Sequence, residues 1–240
     1  HALDALQERT GIDVPLHVDG ASGAFVAPFT QPDLAWDFRL PRVKSINASG
    51  HKYGLVYPGV GWAIWKDKSD LPDELLFHDN YLGSDQITFD LNFSKSSSQV
   101  IGQYYNFLRL GRDGYTRIMQ GLLEVACHIA DEAESHGCWK VVSSRDALPV
   151  VTLALAKDEG FTCHDVSEHL RERGWIVPAY TMPPKIDDQH VLRVTVREGL
   201  SRDLADTFLA DAAAAVAHLV ANPPAEPKRR PHPRSTHHVC

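Results

Sequence analysis

Two stretches decide how this chain folds: His17-Val18-Asp19-Gly20-Ala21 and, further on, Ser45-Ile46-Asn47-Ala48-Ser49-Gly50-His51-Lys52. In the first, the run Val14-Pro15-Leu16-His17-Val18-Asp19 reads as a strand that ends in a carboxylate and is followed by two small residues. In the second, the run Val43 to Ala48 reads as a strand that leads into a Ser, a His and a Lys. A third run, Gly61-Trp62-Ala63-Ile64-Trp65, follows. Each is short and bounded by Gly, Pro or other turn formers, as buried strands are. With the first two strands as parallel neighbours, Asp19 and Lys52 come to one sheet edge, which is where α/β folds bind their ligands.

Outward from this centre, residues 2 to 9 read as the tail of a helix stopped near Gly11. From Gln99 to Ser135 the apolar residues recur at three- and four-residue steps, with Ile118, Leu122, Val125, Ile129 and Ala133 on one face. Gly111 and Gly114 interrupt that pattern and predict two helices with a bend. Cys127 falls on the apolar face, where it is expected to be buried. A strand at Pro149–Leu155, a helix at Cys163–Arg173, a strand at Val191–Val196 and a helix at Arg202–Val220 with Ser201 as N-cap complete the pattern. Alternating strands and helices define an α/β unit. The expected organisation is a first domain over residues 1–105, a helical bridge and small domain over 106–222, and a Pro-rich basic tail over 223–240 that is disordered.

The 240 residues carry 24 Lys and Arg against 31 Asp and Glu, for a formal net charge of −7. Hydrophobic residues make up 43%, enough for a sizeable core and against wholesale disorder. The acidic balance argues against a nucleic-acid partner, since phosphate binding needs surplus Lys and Arg. No run reads as a bilayer span of about 20 apolar residues, so no membrane partner is expected. Cys127, Cys138, Cys163 and Cys240 show no metal-type spacing and are too sparse for a disulfide framework, so the expectation is a reducing cytoplasm and no metal. The first residue is His1, not Met, and the start lacks a signal-peptide pattern.

Singly, Asp19 reads as a strand-end turn former and Lys52 as a surface ammonium. Together on one sheet edge they suit pyridoxal phosphate. A partly desolvated Lys loses its proton more readily and can form a Schiff base with the cofactor aldehyde. An Asp against the pyridine nitrogen keeps that nitrogen protonated and makes the ring an electron sink. Gly20 and Ala21 let a flat ring approach the strand, while Ser49 and His51 supply donors for a phosphate.

The runs His17 to Phe25 and Ser49-Gly50-His51-Lys52-Tyr53-Gly54 resemble the pyridoxal-phosphate-dependent group II decarboxylases. Further stretches are similar to the glutamate decarboxylases of bacteria and plants: Gly59 to Trp62, Tyr81 to Gln86, Asn92-Phe93-Ser94, Gln99 to Tyr105, Phe107 to Gly111, Arg173 to Ala179 and Leu192 to Val194. The resemblance implies an α/β fold of the PLP-dependent transferase fold type I (aspartate-aminotransferase-like): part of the large domain plus a small C-terminal α/β domain. It implies decarboxylation of L-glutamate to 4-aminobutanoate through aldimine and quinonoid intermediates. By the same resemblance Lys52 holds the cofactor, Asp19 partners the pyridine nitrogen, and Ala21 packs against the ring. Ser49 and His51 bind the phosphate, and Ser94 reaches the phosphate of a neighbouring subunit, which implies a homodimer or higher homo-oligomer. Arg193 takes the substrate α-carboxylate, and Tyr81 acts near the substrate α-carbon.

Relatives of this kind are roughly twice as long, so the chain reads as the C-terminal half of such an enzyme. On that reading its own folding is expected to be poor, because unpaired strand edges would be exposed. A decarboxylase of another amino acid, or an incomplete enzyme kept as a binding or assembly module, are the alternatives. Some plant relatives end in a calmodulin-binding helix with a Trp. The absence of Trp from Lys228 to Cys240 and the four prolines from Pro224 on to Pro233 argue against calmodulin here.

Overall fold

The computed structural model describes residues 1–79, 83, 86–88 and 97–228. The chain divides into two compact units, His1–Thr116 and Arg117–Cys240.

Helix α1 (Ala2–Thr10) opens the first unit and ends at Gly11, whose left-handed φ of 73° lets its N–H return to Gln7 O. It buries no side chain. Arg42 instead ties it down, donating to Asp4 at 2.8 Å and to Gln7 at 2.5 Å, and pairing with Asp13.

After α1 the chain forms a three-stranded sheet of β1 (Leu16–Asp19), β2 (Val43–Ser49) and β3 (Gly61–Trp65), in the order β1-β2-β3. Strands β1 and β2 are parallel, with His17 opposite Ser45 and Asp19 opposite Asn47. Strand β3 runs antiparallel to β2, placing Ala63 opposite Asn47. Because side chains alternate along a strand, His17, Asp19, Ser45, Asn47 and Ser49 share one face, and Ile46 and Ala48 are buried on the other. A 3-10 turn at Gly23–Phe25 and the short helix α2 (Ala27–Thr30) bury Phe25 and Val26. An antiparallel hairpin, β4 (Phe77–Asp79) and β5 (Gln86–Thr88), follows.

Helix α3 (Ser98–Ser135) breaks at Gly111, whose φ of 55° and ψ of −166° are not helical. The bend therefore falls at the first of the two glycines named from sequence. Gly114 stays helical, and there a Cβ would sit 2.8 Å from Leu110 Cβ. Along the second part of α3 the buried row is Met119, Leu122, Ala126, Ile129, Ala130 and Ala133. Ile118, Val125 and Cys127 are only half-buried, so the core face is centred slightly round the helix from the expected stripe. The small alanines among them carry little weight in a hydrophobic pattern, which is why this face was not the one read from sequence.

The second unit holds a four-stranded antiparallel sheet in the order β6 (Trp139–Val141), β7 (Val150–Leu155), β9 (His190–Thr195) and β8 (Ala179–Thr181). Helix α4 (Cys163–Glu172) packs on β8 and β9 through buried residues that include Val166 and Leu170. Its start is fixed by a capping box, with the Thr162 hydroxyl accepting from the backbone and the Asp165 carboxylate accepting from Thr162 N–H. Helix α5 (Arg202–Ala221) begins at Ser201, whose hydroxyl accepts from Leu204 N–H. By length and composition α5 is apolar enough to cross a bilayer. In the fold its Phe208, Leu209, Ala212, Ala215, Val216 and Leu219 are buried, and it packs on α4. Past α5, within the stretch expected to be disordered, Lys228 returns to the start of α4. Its N–H donates to Asp165 at 3.2 Å and its carbonyl accepts from the Thr162 hydroxyl at 2.6 Å. Residues 229–240 lie outside the described residues.

Candidate active site

The end of β1 and the turn after β2 bring together most of the residues singled out from sequence. Asp19 closes β1 and is exposed. Its carboxylate accepts from Ala21 N–H at 3.1 Å, an Asx turn that folds the chain sharply after the strand. That N–H first, and then a hydrogen bond from the Asn47 side chain, hold the Asp19 carboxyl below the usual carboxylate range, with smaller help from the charges of Lys52 and His17. Asp19 is thus poised as an anion. Asn47 also accepts from Gly20 N–H at 2.9 Å, so one amide fixes both the strand end and the acid.

Gly20 is required by proximity: a Cβ there would lie 2.7 Å from the Asn47 carbonyl and 2.9 Å from Ala24 Cβ. Ala21 is half-buried, and its carbonyl accepts from Ser49 N–H at 3.1 Å, which links the two strand ends directly. Beside them His17 Nδ1 and Ser45 Oγ are 2.8 Å apart.

Beyond Ser49 the chain turns at once. Gly50 N–H donates to Val60 O, Lys52 N–H to Ser49 O, and Val56 N–H back to Gly50 O. Within this closed turn Ser49 and Lys52 are half-buried and His51 is exposed. Arg193 belongs to the second unit. It stands exposed on β9 opposite Thr152, with its guanidinium 6.0 Å from the Tyr180 ring centre and its N–H bonded to Pro178 O. Tyr81 and Ser94 lie outside the described residues.

Sequence reasoning assigned no part to Asn47, although its place between the buried Ile46 and Ala48 on an alternating strand marks it as facing the polar side. Nor did it assign one to Gln103, Asn106 or Tyr115, which reach the lysine turn from α3.

The geometry is that of an α/β sheet edge presenting a stabilised carboxylate and an amine. Over residues 2–155 the sequence matches the pyridoxal-dependent decarboxylase conserved domain. The chain belongs to this family. It is 53% identical to a glutamate decarboxylase of Solanum lycopersicum over 95% of its own length and 45% of that protein's. It is 51% identical to a glutamate decarboxylase of Aliivibrio fischeri over 88% of its length and 46% of that protein's. Among solved structures, the glutamate decarboxylase of Lactobacillus brevis superposes with a TM-score of 0.84 at 43% identity, over 91% of this chain and 50% of that one. The chain thus spans about half the length of the relatives it matches. Together these findings establish the fold type I architecture that the family resemblance implied.

Proposed function

We propose that this chain carries the lysine side of the active site of a pyridoxal-phosphate-dependent L-glutamate decarboxylase that releases carbon dioxide and 4-aminobutanoate. The observation that carries the reading is the parallel β1–β2 edge, where the anionic Asp19, the small Gly20 and Ala21, and the turn bearing Lys52 converge. High identity to glutamate decarboxylases supports the substrate.

The donor set fits the cofactor. Asp19, held as an anion, would keep a proton on the ring nitrogen; Ala21 would offer a small apolar surface; Ser49 and His51 would supply phosphate donors; Lys52 would supply the primary amine. When bound, the cofactor provides a ring that accepts the electron pair left as carbon dioxide departs. On the family resemblance alone, Arg193 would take the substrate α-carboxylate and so fix which bond stands ready to break, a positioning effect of several kcal/mol in favourable cases. Lys52 and Tyr81 are the candidate groups to return a proton to the α-carbon. Ser94 is proposed, on the family resemblance, to complete the phosphate site of a neighbouring subunit. The exposed apolar residues Val100, Ile101, Tyr104 and Leu108 on α3 support burial against further protein, consistent with a homo-oligomer. The free Cys127, Cys138 and Cys163 support a reducing, cytoplasmic location.

The test is to offer the cofactor-loaded protein L-glutamate, L-aspartate and an aromatic amino acid, and to measure carbon dioxide and amine. The reading expects 4-aminobutanoate from glutamate and little from the others. An aromatic amine or β-alanine as the main product would move the assignment to another decarboxylase. No carbon dioxide from any of them would favour a non-catalytic module.

A further inference from the structure

Helix α3 holds the lysine turn by its exit. Gln103 is fully buried. Its Nε2 donates to Gly54 O at 2.9 Å and to Tyr115 Oη at 3.1 Å, and Tyr115 Oη donates to the same carbonyl at 3.0 Å. These bonds form a closed ring, and a carbonyl can only accept, so the Gln103 amide is fixed with its nitrogen toward Gly54. Burial pushes the Tyr115 phenol up, only partly offset by the Gln103 bond, so it keeps the proton it donates. The amide plate lies against two glycines that bracket the turn. A Cβ at either Gly50 or Gly54 would stand 2.7 Å from Gln103 Oε1.

One residue further on, Asn106 Nδ2 donates to Leu55 O at 2.8 Å. Leu55 has a φ of 64°, a left-handed conformation that crowds the Cβ of an L-residue against the following carbonyl. A strained residue three positions after Lys52 persists only where its surroundings over-determine it, and Asn106 supplies such a constraint. Three side chains from one helix thus grip two successive carbonyls at the exit of the turn that carries Lys52.

We infer that Gln103, Asn106 and Tyr115 are positioning residues for Lys52: they set the strained turn that presents the amine to the cofactor, and touch neither substrate nor cofactor themselves. This rests on the assignment of Lys52 as the cofactor lysine. A role confined to packing would need neither the converging bonds on Gly54 O nor a left-handed leucine.

The test has two readouts on the protein and on its Gln103→Leu, Asn106→Ala and Leu55→Gly variants. The first is hydrogen exchange across residues 50–56, taken without cofactor. The second is the rate at which pyridoxal phosphate, trapped with borohydride, labels Lys52. Gln103→Leu and Asn106→Ala are expected to speed exchange in 50–56, leave β2 residues 43–49 unchanged, and slow labelling by about ten- to a hundredfold. Glycine adopts the left-handed conformation without a Cβ penalty, so in a Leu55→Gly background Asn106→Ala should label within about threefold of its parent. Normal labelling in both single variants, or loss in Asn106→Ala that Leu55→Gly does not rescue, overturns the inference alone. Absence of label on Lys52 in the unsubstituted protein overturns the underlying assignment and the inference with it.

Discussion

Gly20→Ala is the substitution whose consequence the structure fixes most closely. The added Cβ would lie 2.7 Å from the Asn47 carbonyl oxygen and 2.9 Å from Ala24 Cβ, where ordinary contact begins near 3.4 Å, so the Asn47 contact must open by 0.7 Å. The Asn47 oxygen is backbone at the end of β2 and cannot swing aside as a flexible side chain would. Relief must come from parting the β1 and β2 ends, which strains the Gly20 N–H bond to Asn47 and the Ser49 N–H bond to Ala21. Overpacking of this kind costs about 1–3 kcal/mol. The control is three residues away: Gly23 has open space around its Cβ position and an ordinary φ, so Gly23→Ala should be neutral. The assay is the denaturant midpoint of each variant at unchanged m, paired with pyridoxal phosphate labelling of Lys52. Gly20→Ala should lower both while Gly23→Ala moves neither. Equal behaviour of the two variants would refute the close strand-end geometry.

Other outcomes follow from single contacts. The Trp175 indole N–H and then Arg173 hold the Asp211 carboxyl below its usual range. A depressed carboxylate stabilises the fold above its unfolded value near 4 and loses that contribution as pH falls through the folded value. Asp211→Asn should therefore flatten the acid limb of the stability profile, seen as a smaller drop in Tm between pH 5 and about pH 3. Cys163 is buried with its thiol pushed up to about 12. It should resist iodoacetamide until the second unit unfolds, which peptide mapping after timed alkylation reads directly. Thr162→Ala removes both the α4 cap and the hydroxyl that holds Lys228 O, and should cost about 1 kcal/mol and speed proteolysis after Ala221.

How much was legible in the sequence depended on whether its signals were local. Strands β1, β2 and β3 announced themselves through apolar runs bounded by Gly and Pro, and α5 through its Ser201 cap. The three-residue strands β6 and β8 carry no period to read; they exist because β7 and β9 offer paired edges. The same divide runs through the site. Asp19 and Lys52 were legible because a strand ending in a carboxylate and one running into a lysine are patterns within a few residues. Gln103 and Asn106 were not, because their partners are backbone carbonyls 49 and 51 residues away, and a carbonyl leaves no mark on the sequence. Leu55 is an ordinary apolar residue by type, and only its backbone angle sets it apart.

The central claim, that this sheet edge presents Lys52 to pyridoxal phosphate, is tested most directly by locating the covalent bond. The protein would be incubated with the cofactor, reduced with borohydride and digested, and the pyridoxyl group placed by peptide mass spectrometry. The account predicts one stoichiometric adduct on Lys52, abolished by Lys52→Arg and weakened by Asp19→Asn. Label scattered over surface lysines, or unchanged when Lys52 is replaced, would contradict it.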